Sequence, residues 1–201
     1  APGRLRWADT NGDGVITPLD RTIVGSPHPD FTGGVNLGLN WKNFDLGMDV
    51  FGTFGNDIWD TQKEFYVFRN FNTNVRRDRL TDSWDPAHPN PNAKYPILDQ
   101  NDLESRDPSD FYLEDGSYVR LRSLQIGYTV PRGRLPGFDN VRVYVRGENL
   151  FTITGYDGLD PALPALNVSR SGVDARDMAM GIDRGTYPSN KTVSVGFGVG
   201  F

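Results

Sequence analysis

From Thr192 to Phe201 the chain alternates without a break. Val193, Val195, Phe197, Val199 and Phe201 take one parity, and Thr192, Ser194, Gly196, Gly198 and Gly200 take the other. Successive side chains of a strand point to opposite faces, so such a segment has one oily face and one polar face. Four further segments repeat the pattern. Phe31 to Lys42 sets Val35, Leu37, Leu39 and Trp41 against Asn36, Gly38, Asn40 and Lys42. After a tight turn at Lys42-Asn43, Phe44, Leu46, Met48 and Val50 oppose Asp45, Gly47 and Asp49. Between Ser117 and Val130 the phase slips: Val119 and Leu121 lead, then Leu124, Ile126, Tyr128 and Val130 follow on the other parity. One extra residue, a bulge near Arg122-Ser123, is therefore predicted. Val141, Val143 and Val145 stand opposite Arg142, Tyr144 and Arg146.

Length decides what such strands can be. Strands of soluble sheets run about five or six residues, whereas tilted strands that cross a bilayer need about 9–11. The long segments here meet the second figure. Lys, Arg, Asp, Asn and Gly on the polar face suit a water-filled interior, and the apolar face then belongs to lipid. A hydrophobic content of only 37% fits as well, because a barrel strand shows the bilayer only every second residue. No apolar run is long enough for a membrane-spanning helix. The connections agree. Lys42-Asn43 and Pro131 to Asn140 are short, while the segments at about 61–116 and 155–191 are long. Short periplasmic turns and long extracellular loops alternate in this way. With Phe201 at the periplasmic end, both long segments fall outside, and Trp41, Phe44 and Phe201 stand near the inner membrane boundary as an aromatic girdle.

The predicted fold class is thus all-β, an antiparallel transmembrane β-barrel of the outer membrane of a Gram-negative bacterium. Residues 1–30 read as an extracellular loop and 31–201 as barrel strands. Five strands close no barrel, since the smallest has about eight, and bare edges invite aggregation. More polypeptide is therefore expected as a partner, along with outer-membrane lipid. The stretch Ala1-Pro2-Gly3-Arg4-Leu5-Arg6-Trp7 lacks the apolar centre of an export signal. Either that signal is removed or the chain is a piece of something longer, and the strand count favours the second. The alternatives are a barrel with a surface-assembly or adhesion role and a soluble secreted calcium-binding β module.

The formal net charge is −5 and no basic cluster runs along the chain, so a nucleic-acid partner is not expected. The absence of cysteine removes disulfides, thiolate metal sites and thiol nucleophiles. His28 and His88 lie in Pro-rich loops without zinc-ligand spacing. No spacing singles out an acid/base pair among the many carboxylates, and no enzyme is expected. The sequons at Asn167-Val168-Ser169 and Asn190-Lys191-Thr192 read as coincidence. Trp59, Phe65, Tyr66, Phe68, Phe71 and Trp84 crowd the first long loop. They either stack on sugar rings, pack on a partner protein or form the loop's own core.

One loop has a chemistry of its own. Asp9-Thr10-Asn11-Gly12-Asp13-Gly14-Val15-Ile16-Thr17-Pro18-Leu19-Asp20 fits the calcium-loop pattern, with Asp9, Asn11 and Asp13 offering side-chain oxygens and Gly14 the sharp turn. The Val15 carbonyl and Asp20 complete a candidate shell for a structural Ca2+. Asp20 replaces the usual Glu, and its shorter arm makes closure on both oxygens harder. Without an ion the same residues make a loop rich in Asx turns.

Several motifs stand in order along the chain: Asp9 to Asp20 followed by Arg21-Thr22-Ile23-Val24-Gly25, then Gly55-Asn56-Asp57-Ile58 and Asn92-Ala93-Lys94-Tyr95-Pro96. Tyr112-Leu113-Glu114-Asp115-Gly116-Ser117-Tyr118-Val119-Arg120-Leu121, Gly147-Glu148-Asn149-Leu150-Phe151-Thr152 and Gly181-Ile182-Asp183-Arg184-Gly185-Thr186-Tyr187-Pro188 follow. With these motifs the chain resembles the carboxy-terminal region of the SusC/RagA family of TonB-linked outer-membrane transporters. The resemblance implies the last five strands of a plugged barrel of about 22 strands. It also implies a SusD-like surface lipoprotein over the outer face, a hinged lid admitting glycans or peptides, and energy delivered by the TonB complex through the missing amino-terminal part. It further implies that Phe201 serves as the terminal aromatic recognised in barrel assembly.

Overall fold

A computed structural model describes residues 2–68, 75–99, 101–102, 104–163 and 179–200. Phe71, Phe201 and the sequon at Asn167 lie outside them. The strands are β1 (Phe31–Trp41), β2 (Phe44–Phe54), β3 (Asp57–Asp60), β4 (Leu113–Asp115), β5 (Tyr118–Val130), β6 (Asn140–Glu148), β7 (Thr152–Thr154), β8 (Ile182–Asp183) and β9 (Thr192–Gly200). The chain divides into two compact units, one of Ala1–Gly25, Trp59–Glu114 and Ile182–Gly185, the other of Ser26–Ile58, Asp115–Gly181 and Thr186–Phe201.

The second unit holds an antiparallel sheet in the order β1-β2-β5-β6-β9, with β7 also paired to β5. Its five long strands have 9 to 13 residues, the length a tilted membrane strand needs. The sheet is open, with β1 and β9 at its edges, so it is a fragment of barrel wall and not a closed barrel. The expected slip in β5 is present. Asp49 pairs with Ser123 but Val50 with Leu121, which leaves Arg122 as the extra, bulged residue. At the β1–β2 turn Lys42 takes a left-handed conformation (φ 54°), and its ammonium lies 5.0 Å from the Trp41 ring.

Registration across the sheet puts the two parities on separate faces. Val35 opposes Val50, Val143 opposes Phe197 and Val145 opposes Val195, all on the apolar side. That side is bare. Phe197 is 79% exposed, Val195 72% and Val35 62%. In water this surface would carry a large unfavourable hydration cost, whereas against hydrocarbon it carries none. Aromatic pairs bound the apolar band at both ends. Phe44 and Tyr128 are 4.8 Å apart beside the β1–β2 turn, and Phe31 and Phe54 are 6.2 Å apart at the far end of the same hairpin. Some ten residues of strand separate them, roughly 33 Å; a tilt of about 40° reduces this to about 25 Å, the height of a barrel's lipid-facing band. Only the girdle at Trp41 and Phe44 is expected from the sequence. The outer one emerges once Phe31 and Phe54 are seen to pair.

The first unit is built the other way round. Tyr95, Tyr112 and Val67 are buried at its centre. Trp59 stacks on Tyr112 at 5.4 Å, and Phe68 and Tyr95 both contact Phe111. The loop aromatics are therefore in large part the loop's own core. A small sheet, β4-β3-β8, carries the parallel pairing of Trp59 with Ile182 and Asp60 with Asp183. Residues Ala1–Gly25 belong to this unit. The Ile97 N–H donates to Gly3 O (2.7 Å), and the Arg4 guanidinium donates to Asp99 (2.7 Å). Contacts about 95 residues apart leave no local pattern, so the sequence cannot announce them.

Candidate functional site

The polar face of the sheet is organised by glycine. Arg142 on β6 reaches across β5 to Asp45 on β2, donating from Nε (3.1 Å) and Nη2 (2.5 Å). The residue beneath this bridge is Gly127, paired with Asp45 on one side and Tyr144 on the other. A Cβ at Gly127 would stand 2.6 Å from Arg142 Nη2 and from Asp45 Oδ2, so any side chain there breaks the pair. One row further along, Gly38 and Gly47 are paired and leave open space above them. A shallow depression of about 410 Å³ results, edged by Asn36, Asp49, Ser123, Gln125 and Arg146. These are hydrogen-bonding groups on a rigid sheet. Arg146 is itself paired to Glu148 at 2.9 Å.

Toward the bulge the same face carries a buried ion pair. Arg120 donates Nε to Thr152 Oγ1 (2.8 Å), Nη1 to Ser189 Oγ (3.3 Å) and Nη2 to Asp160. Asp160 also accepts the backbone N–H groups of Ala162 and Ser189, both at 2.9 Å. Burial would raise the Asp160 pKa, but the Arg120 bond and the two N–H groups outweigh it and hold the carboxyl below its usual range. Arg120 thus ties both ends of the second long loop, at Asp160 and Ser189, to strand β5. Leaving one partner of such a buried pair unmatched costs about 3–5 kcal/mol.

The Asp9–Asp20 loop, in the first unit, has the expected backbone. Gly12 and Gly14 are left-handed (φ 76° and 82°). Asp9 accepts from the Gly12 and Gly14 N–H groups, both at 2.7 Å, Asn11 from Asp13 N–H (2.9 Å) and Asp13 from Val15 N–H (2.8 Å). Asp20 accepts from Thr17 N–H (2.7 Å) and Thr10 N–H (3.0 Å), and the Thr17 bond leads in holding its carboxyl below the usual range. Thr17 and Asp20 form a capping box around the 3-10 turn Pro18–Asp20. Among the described residues no three acidic, histidine or cysteine side chains gather as a metal cluster. The loop is closed by its own backbone N–H donors.

The first unit also buries acids that the sequence reading passes over. Asp60 and Asp183 are 1% and 2% exposed on adjacent strands. Tyr66 donates its hydroxyl to Asp60 at 2.6 Å, and Gln62 N–H donates to it at 2.8 Å. Burial raises the Asp60 pKa above the ordinary carboxylate value despite these bonds, and Glu114 and Asp183 push it the same way. Lys63 pairs with Glu114 at 2.7 Å and donates to Phe111 O at 2.8 Å. This cluster holds the unit's interior together.

No family model matches the chain. It is 33% identical over 204 residues to TonB-dependent receptor P3 of Formosa agariphila, a match covering 100% of this chain and 19% of that protein. TonB-dependent receptor P26 of the same organism is 30% identical over 201 residues, covering 99% of this chain and 20% of the relative. TonB-dependent receptor SusC of Bacteroides thetaiotaomicron is 26% identical over 201 residues, covering 97% and 17%. Among solved structures, the RagAB peptide importer in its open-open state superposes with a TM-score of 0.64 at 24% identity, over 89% of this chain and 18% of that one.

The chain belongs to the SusC/RagA family of TonB-dependent receptors.

It spans about a fifth of the length of the curated relatives it matches. For a SusC/RagA barrel the two faces of the sheet have fixed environments. The Val/Phe face meets lipid. The face with the Asp45–Arg142 bridge and the glycine-floored depression is the inner wall.

Proposed function

We propose that this SusC/RagA chain is part of the wall of a TonB-dependent nutrient-uptake transporter in the outer membrane of a Gram-negative bacterium. The whole receptor imports a glycan or a peptide, is capped by a SusD-like surface lipoprotein, and draws its energy from the TonB complex through polypeptide outside the 201 residues. It changes no covalent bond in what it carries. The observation that supports this reading is the division of labour across one sheet. A continuous apolar band about 25 Å high backs a polar wall of paired charges and glycine-floored space. The names of the relatives support the same reading, and the RagAB importer offers peptide as one substrate class.

The test is deletion of the full-length receptor in its own bacterium. Growth on the glycan or peptide mixture that induces it should be lost, and lost equally when the receptor's TonB-contacting segment is removed. Growth unchanged by either deletion would turn the reading toward a surface-assembly or adhesion role.

For the Asp9–Asp20 loop we propose a structural Ca2+ held by the side chains of Asp9, Asn11, Asp13 and Asp20 and the Val15 carbonyl. Its support is the donor spacing and the left-handed Gly14. Added Ca2+ should raise the thermal stability of the full-length receptor relative to chelator, and Asp9→Ala should abolish that increment. An increment that survives the substitution would place the ion elsewhere.

A further inference from the structure

The bulge in β5 does something the lipid-facing pattern does not require. Upstream of it Tyr118 and Arg120 face the interior, and downstream Ser123, Gln125 and Gly127 do. Arg122 is the extra residue between the two series, and its side chain lies flat over Phe51 on the inner face, with the guanidinium carbon 3.7 Å from the ring centre. A guanidinium stacked on an aromatic ring keeps its planar fork of N–H donors turned outward at its edge. The other arginines in this part of the wall are committed. Arg120 bonds Asp160, Arg142 bonds Asp45 and Arg146 bonds Glu148. Arg122 is exposed, and among the described residues it forms no ion pair, even though Asp49 carries a carboxylate on the neighbouring strand, opposite Ser123. Phe51 is kept in place by Tyr118, 6.3 Å away, and by its register opposite Gly34, which adds no side chain to crowd the ring. The depression floored by Gly38 and Gly47 begins at Ser123, the next residue.

We propose that Arg122, laid on Phe51 by the bulge, is a carboxylate-binding subsite on the inner wall, and that the solute this receptor takes up carries a carboxylate. The fork takes both carboxylate oxygens, while Asn36, Ser123 and Gln125 beside it offer hydrogen bonds to the neutral part of the same molecule. The carboxylate comes either from the free end of a peptide or from a uronic-acid glycan. The identity of the solute rests on the uptake reading above; the binding itself does not.

The test uses the full-length receptor purified in detergent, titrated calorimetrically at low ionic strength with two pairs of probes. One pair is trigalacturonate and its methyl ester; the other is a pentapeptide with a free carboxy terminus and its amide. One acid should bind roughly ten- to hundredfold more tightly than its neutral twin. Arg122→Gln should erase that preference and leave the neutral probe's affinity alone. Arg122→Lys should retain part of it, and Phe51→Leu should weaken it roughly two- to fivefold. Which pair responds identifies the source. Retained heat-modifiable migration of each variant on gels verifies its barrel. If neither acid is preferred, or if the preference survives Arg122→Gln, the subsite is overturned. A receptor still required for growth but blind to the charge would sink the subsite alone and leave the uptake reading standing.

Discussion

The sheet and the loop unit use the same kinds of residue in opposite senses. Phe197, Val195 and Trp41 stand bare on the outside of the sheet, whereas Tyr95, Tyr112 and Val67 are closed inside the loop unit. Charges invert as well. The sheet sets Asp45 and Arg142 on its inner wall, half-exposed, while the loop unit buries Asp60 and Asp183 almost completely. The difference teaches that the solvent, and not the amino-acid type, decides which side is inside. Lipid makes an exposed valine neutral, and water makes the same valine a reason to fold.

That contrast can be broken most forcefully in the loop unit. Tyr112→Ala removes a ring stacked on Trp59 and should cost the unit about 3–5 kcal/mol. Hydrogen exchange should rise across 59–114 while the receptor's heat-modifiable migration persists. Loss of the barrel as well would show that the two regions are not separate in stability. On the sheet, Val195→Arg puts a charge in hydrocarbon and should cost about 2–4 kcal/mol near the bilayer midplane, whereas Ser194→Arg on the inner face should be nearly neutral. Refolding into lipid vesicles against urea measures both, and equal penalties would mean the faces are misassigned.

The buried acids give a smaller, pH-dependent effect. The folded-state pKa of Asp60 is raised, chiefly by burial, with Glu114 and Asp183 adding to it. Its contribution to the loop unit's stability is therefore fully present below the ordinary carboxylate pKa and is lost as pH rises through the raised value. Protection of 59–114 from exchange should fall across that window in the wild type, after correction for the intrinsic rate, and the fall should flatten in Asp60→Asn. A wild-type profile without the fall would contradict the burial argument. Smallest of all, Lys42→Gly relieves a left-handed lysine at the β1–β2 turn and should stabilise the barrel by about 1 kcal/mol. Destabilisation instead would mean that the ammonium on the Trp41 ring outweighs the strain.

Much of the sheet is legible before any coordinates. The five long strands, the bulge at Arg122 and the turn at Lys42-Asn43 all follow from a period of two and one slip in phase. The outer girdle is not legible, because the pairing of Phe31 with Phe54 needs β2 to run four residues past Val50. The Asp9–Asp20 loop is legible as a turn, because Gly12, Gly14 and the Asx bonds are local. Which donors each carboxylate meets is not, because that depends on how the loop closes: Asp20 finds Thr10 and Thr17.

The sequence by itself determined the alternation, the strand lengths and the two solvents they imply, because each is a relation between residues one or two apart. The tertiary structure alone decided that Arg142 would cross Gly127 to Asp45, that Gly3 would meet Ile97, and that Arg122 would lie on Phe51 while other arginines found carboxylates. Those outcomes join residues far apart in the chain: Arg122 and Phe51 by 71 positions (122 − 51), Gly3 and Ile97 by 94 (97 − 3), and Arg142 and Asp45 by 97. Only the register of distant strands brings such groups within reach, and no local propensity encodes that register.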